Sequence, residues 1–163
     1  MTVRILLLVR HAKSSWKHPE LDDIDRPLNK RGRRDAPEMG RRLKARSLRP
    51  DVIISSPSVR TLSTAAAIAE QVGLDTGRVI AHDDLYAAAP QEVLDVVAVT
   101  PASVQILMVV THNPAITELA NRFLACPIDN VPTCGVLTVQ LDSWSCPESG
   151  GLMDFDYPKK PVH

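Results

Sequence analysis

The sequence predicts a three-layer α/β/α fold on a mostly parallel sheet with an antiparallel edge at its C-terminal end. Three observations carry that expectation. The apolar runs 3–9, 51–55 and 104–110 show little polar alternation, which is the pattern of strands buried on both faces. Stretches of helical periodicity separate these runs, so right-handed crossovers would join parallel strands. After residue 135 the pattern changes to short alternating segments, 135–141 and 152–157, divided by Gly150-Gly151, which reads as an antiparallel edge hairpin.

Taken in order, the first strand ends in Arg10-His11, and its Ile5 to Val9 core is too short for a signal-peptide core. A helix is expected over 30–46, with Pro37 either in its first turn or kinking it. The second strand leads into Ser56, a capping residue, and Pro57, suited to a first helical position. The helix over 57–72 presents Leu62, Ala65, Ala66, Ile68, Ala69 and Val72, and Gly73 supplies its stop. A short strand near 78–81 and a short helix after Pro90, through Val93, Leu94 and Val97, precede the third strand. That strand ends in Thr111-His112, with Asn113 as cap and Pro114 opening a helix over 114–124. Residues 1–157 read as one domain and 158–163 as a loose tail.

The chain has 163 residues, enough to bury a core without staples, and 19 basic residues balance 19 acidic ones. No global field draws it to nucleic acid or to an anionic membrane, so any anion site must be local. Cys126, Cys134 and Cys146 are odd in number and lack CxxC spacing, which disfavours a disulfide framework and fits a reducing, cytoplasmic setting.

In open α/β sheets ligands bind beyond the carboxyl ends of the strands. Arg10 and His11, Arg60, and His112 all fall at such ends or at the helix mouths that follow them. Helix N-termini and guanidinium groups favour a phosphate-like dianion, so phosphate or sulfate fits the site. Each residue alone has an ordinary structural role open to it; their convergence is the signal. A zinc site from His11, His18 and His112 lacks HxxxH-type spacing and a cysteine partner. His82 reads as a surface residue. The cluster Lys30, Arg31, Arg33, Arg34, Arg41, Arg42 and Lys44 reads as the solvated face of a helix, or alternatively as a dock for an acidic partner.

The stretch Leu7-Leu8-Val9-Arg10-His11-Ala12-Lys13-Ser14-Ser15-Trp16 resembles the opening of the histidine phosphatase superfamily, in its SixA-type phosphohistidine phosphatase branch. The resemblance continues through Asp25-Arg26-Pro27-Leu28, Arg31-Gly32, Ser55-Ser56-Pro57 with Arg60 and Thr64-Ala65, Leu85-Tyr86 and His112-Asn113-Pro114. It implies a phosphoglycerate mutase-like fold and a phosphatase that forms a covalent phosphohistidine intermediate. His11 would be the nucleophile, with Arg10, Arg60 and His112 binding the phosphoryl oxygens. Arg26 and Asp23 would be further substrate-binding residues, and Trp16 either lines the pocket wall or packs in a loop. No metal or other cofactor is implied, since the arginines supply the positive charge.

Broad phosphatases and mutases of the superfamily place a carboxylate two residues after the leucine that matches Leu85. Here Ala87 stands there. Asp84 and Asp23 are the alternative acids. Imidazole departs more readily than an alkoxide, so the missing acid favours a phosphohistidine-bearing protein, such as a phosphorelay domain, as substrate. A small-molecule phosphomonoesterase and a non-catalytic phosphate-binding module are the competing readings. Thr111 replaces the usual glycine before His112, and Ala12 the glycine common after His11.

Overall fold

The computed structural model describes residues 3–161. Ten regular elements follow the chain: β1 Arg4–Arg10, α1 Lys30–Ala45, β2 Val52–Ser55, α2 Val59–Val72, β3 Val79–Ala81, α3 Pro90–Ala98, β4 Ile106–Thr111, α4 Ala115–Phe123, β5 Val136–Leu141 and β6 Gly151–Asp156. The strands form a single sheet in the order β3-β2-β4-β1-β5-β6. β3, β2, β4 and β1 run parallel, whereas β5 and β6 are antiparallel to their neighbours.

Both faces of the central strands are covered, which explains their unbroken apolar sequence. Leu7, Val9, Met108, Val110 and Ile53 face α1 and α2, packing with Ala36, Met39, Ile68 and Ala69. Leu6, Leu8, Leu107 and Val109 face the other way, onto Val93, Leu94, Ile116 and Leu119 of α3 and α4. Each such buried aliphatic side chain contributes about 1.5–3 kcal/mol of hydrophobic stabilisation. β1 and β4 lie side by side in register, with Arg10 opposite Thr111. The helix after β1 packs on one face and the helix after β4 on the other, so a crevice opens between their carboxyl ends.

The helix starts differ from the expectation by one or two residues. α2 is capped by Ser58, whose Oγ accepts from the Thr61 N–H at 3.2 Å, so Ser56 and Pro57 precede the helix. Ser56 is thereby released for a different partner. α4 begins at Ala115 behind Pro114, and the Asn113 side chain accepts from the Thr117 N–H at 3.2 Å and from its hydroxyl at 2.8 Å. α1 starts on Asn29, which accepts from the Gly32 N–H at 2.8 Å, and Pro37 lies in its interior. Gly73 closes α2 at φ 75°, the left-handed conformation that glycine adopts at no steric cost.

Arg42 does not belong to a solvated helix face. Its guanidinium donates to Asp156, to the Tyr157 carbonyl at 3.0 Å and to the Pro158 carbonyl at 2.9 Å, tying α1 to the end of β6. Residues 162 and 163 of the expected tail, with His163, lie outside the described residues. No helix among the described residues is long and apolar enough to cross a membrane.

Candidate active site

The crevice between β1 and β4 holds the two histidines. His11 and His112 stand with ring centroids 5.4 Å apart, both largely buried. Backbone bonds hold the first residue of the loop: the His11 N–H donates to the Thr111 carbonyl at 3.2 Å, and the His11 carbonyl accepts from the Cys134 N–H at 3.0 Å. The His11 Nδ1–H donates to the Ala12 carbonyl at 2.7 Å. A neutral imidazole has one N–H, so this bond assigns the proton to Nδ1 and leaves a lone pair on Nε2. Burial pushes the His11 pKa down to about 3; nearby Arg60, His112 and Arg10 press in the same direction, while the Ala12 bond opposes them. His11 is therefore neutral and oriented at neutral pH, with an unprotonated Nε2.

His112 is fixed in the opposite tautomer. Arg60 donates an Nη2–H to His112 Nδ1 at 3.3 Å, so the ring proton sits on Nε2 and is donated to Ser56 Oγ at 2.7 Å. Burial, with Arg60 the next contribution, lowers this pKa to about 4. Nothing in the local sequence singles out Ser56 for this role.

Arg60 lies in the first turn of α2 and is 6% exposed. Its Nη1 donates to the Asp23 carbonyl at 2.6 Å and its Nη2 to Asp23 Oδ2 at 2.9 Å. Arg10 donates from Nη1 to the Val131 carbonyl at 2.8 Å and to Asn130 Oδ1 at 3.3 Å, partners on a loop that no motif marks. The Nε of each arginine is buried and has no hydrogen-bond partner among the described residues. Burying an N–H without a partner costs about 1–3 kcal/mol. Both guanidinium groups lie close enough to the two histidines to lower their pKa values, and paired guanidinium groups suit an oxyanion.

Asp23 is the hub of the outer wall. Besides Arg60, it accepts from Arg26 Nε at 3.2 Å and from the Tyr86 hydroxyl at 2.6 Å. The Tyr86 bond first, then Arg60 and Arg26, hold its carboxyl well below the usual range. The hydrogen bond to Asp23 in turn raises the Tyr86 pKa, and the Tyr86 ring meets His112 edge-on at 5.6 Å. Arg26 is buried, donating to Ser14 Oγ at 2.7 Å, and its guanidinium lies 3.7 Å from the centre of the Trp16 ring. Trp16 is 73% exposed, with Arg26 on one face.

A cavity of about 560 Å³ opens from this core, lined by Asp23, Arg60, Tyr86, Ala87–Ala89, Glu92, Thr111, His112, Asn113 and Pro114. Arg26 and Trp16 are not in its lining; they reach it through Asp23. Asp84 faces a separate cleft with His82 and Asp95. Ala87 lines the main cavity, at φ 56°. Thr111, in the place of the expected glycine, donates its hydroxyl to the Leu85 carbonyl at 3.0 Å and so anchors the turn that carries Tyr86. His18 pairs with Glu20 at 3.4 Å on an exposed loop. Among the described residues no group of three or more His, Cys, Asp or Glu side chains is placed to hold a metal ion.

An α/β sheet whose switch point presents paired histidines and arginines defines a class of phosphoryl-binding proteins. The family model of the histidine phosphatase superfamily (branch 1) matches residues 6–86. An uncharacterised protein of Mycobacterium tuberculosis is 35% identical over 112 residues, which cover 69% of this chain and 67% of that protein. An uncharacterised chloroplast protein of Arabidopsis thaliana is 42% identical over 69 residues, 42% of this chain but only 32% of that protein, so the chain spans about a third of that relative's length. A crystal structure from Agrobacterium tumefaciens, assigned as the phosphohistidine phosphatase SixA, superposes with a TM-score of 0.82 at 28% identity, covering 95% of this chain and 98% of that one. The chain belongs to the histidine phosphatase superfamily, and within it to the SixA type.

Proposed function

We propose that this protein is a phosphatase that takes a phosphoryl group from a phosphohistidine-bearing protein onto His11 Nε2 and then hydrolyses it. The observation that carries the reading is the His11 tautomer: Nδ1–H is committed to the Ala12 carbonyl, which leaves Nε2 as the attacking atom, with the charges of Arg60 and Arg10 nearby. Attack forms the Nε2–P bond and divides one hard displacement into two easier ones. Arg10 and Arg60 meet the equatorial oxygens, whose charge redistributes in the transition state. His112, held by Ser56 at Nε2, accepts from Arg60 at Nδ1 and so steadies that guanidinium. In this reading the guanidinium groups supply the positive charge and no metal is needed. Asp23 positions Arg60, and Arg26 with Trp16 braces Asp23 from outside the cavity.

Two features support phosphohistidine over an alkyl phosphate. Asp84 faces another cleft, and Asp23 is tied to two arginines and Tyr86, which keeps it ionised and unable to donate a proton to an alkoxide. The three unpaired cysteines support the cytoplasm as the setting. Brief exposure to a labelled phosphoryl donor should trap an acid-labile adduct on His11. His11→Ala should lose both adduct and turnover, and unchanged turnover in that variant would overturn the mechanism. Arg10→Ala should lower kcat by about 10²–10³.

A further inference from the structure

We infer that Glu92 meets the leaving group, its carboxylate accepting a hydrogen bond from the distal ring N–H of the departing imidazole. The inference rests on the phosphohistidine reading above.

In-line transfer places the departing nitrogen on the far side of phosphorus from His11 Nε2. His112 and Arg60 line the cavity, and His11, which does not, stands with its ring centroid 5.4 Å from that of His112, so a ring departing on the side away from His11 enters the cavity. Two carboxylates line that space, Asp23 and Glu92. Asp23 is consumed by Arg60, Arg26 and Tyr86. Glu92 lies in the first turn of α3, where one oxygen accepts from the Ala89 N–H at 3.0 Å. It also lines the neighbouring cleft, which puts it at the outer boundary of the cavity.

The chemistry of a phosphorylated imidazole calls for an acceptor there. If the ring nitrogen not bonded to phosphorus carries no proton, departure generates an imidazolate. If it carries one, the ring leaves as neutral imidazole, the form whose conjugate acid has a pKa of about 6.5. The Nε2–P bond forms and the P–N bond breaks; the electron pair stays on the substrate nitrogen and neutralises the ring's positive charge. The distal proton remains on the ring throughout. Glu92 stabilises that proton before departure, and the apolar Ala87–Ala89 wall leaves it without a competing side-chain partner on that segment.

Glu92→Gln keeps an acceptor oxygen for the Ala89 N–H, so α3 retains its start. Wild type and variant are compared on a phosphohistidine peptide and on 4-nitrophenyl phosphate, whose leaving group needs no proton. The expected result is a fall of about tenfold in kcat/KM on the peptide, the weakening of one hydrogen bond to a charged group, little or no loss on nitrophenyl phosphate, and an unchanged melting temperature. Equal losses on both substrates, or none on the peptide, overturn the role of Glu92 alone. A wild-type enzyme inactive on the peptide but active on nitrophenyl phosphate overturns the phosphohistidine reading and this inference with it.

Discussion

Thr64 shows how a buried hydroxyl far from the histidines in sequence supports the turn that holds His11. Its Oγ1 accepts from the Ala12 N–H at 2.9 Å and donates to the Arg60 carbonyl at 2.7 Å, joining the peptide that orients His11 to the turn that carries Arg60. Thr64→Val keeps the shape but orphans the Ala12 N–H. It should cost about 1–3 kcal/mol in urea unfolding and lower kcat more than it raises KM. The two histidines make a second prediction at this scale. In a carbon-13 NMR titration both should stay neutral through about 6.5, where a free imidazole titrates, and begin to protonate only near 4 for His112 and 3 for His11. Titration of either near 6.5 would show that the crevice does not hold that ring neutral.

Between elements, the closest approach is that of α1 to the loop behind the nucleophile. A Cβ on Gly32 would lie 2.2 Å from the Lys13 carbonyl oxygen, and the Asn29 N–H donates to that same oxygen at 2.9 Å. Gly32→Ala should therefore push α1 off the 12–14 segment, costing about 1–3 kcal/mol through overpacking and reducing activity beyond the loss of stability. Thermal melting and kcat on nitrophenyl phosphate, measured together, check this. Elements of this kind are also where the sequence is readable. Arg10, His11, Arg60 and His112 sit within a few residues of strand ends marked by apolar runs, so periodicity alone brings them together. Ser56, Asn130 and Tyr86 are not legible in that way. Their contacts cross 56, 120 and 63 positions of chain respectively, and their residue types are ordinary for loops. The cap positions were misplaced because Ser56 and Ser58 are equally good caps in sequence, and only the bond from His112 to Ser56 decides between them.

For the molecule as a whole, burying two neutral imidazoles links stability to pH. The unfolded chain takes up protons on these side chains below about 6.5, whereas the folded chain does so only near 4 and 3. In that window the unfolded state holds more protons, so stability is complete above about 6.5 and falls as pH drops. Each histidine contributes a slope of up to about 1.4 kcal/mol per pH unit. Urea unfolding between pH 7 and 4 should show the decline, and His11→Asn should make it shallower while leaving the His112 share.

The sheet also separates charge. No lysine or arginine occurs between Arg78 and Arg122, a stretch that includes Asp83, Asp84, Glu92, Asp95 and Glu118, while α1 on the opposite face carries Lys30, Arg31, Arg33, Arg34, Arg41, Arg42 and Lys44 against Asp35 and Glu38. A chain with no net charge is thus an electric dipole across its sheet, with the reactive crevice near the boundary between the two signs. A charged partner approaching it would feel torque rather than net pull, turning before contact by an amount that salt screens over about 8–10 Å.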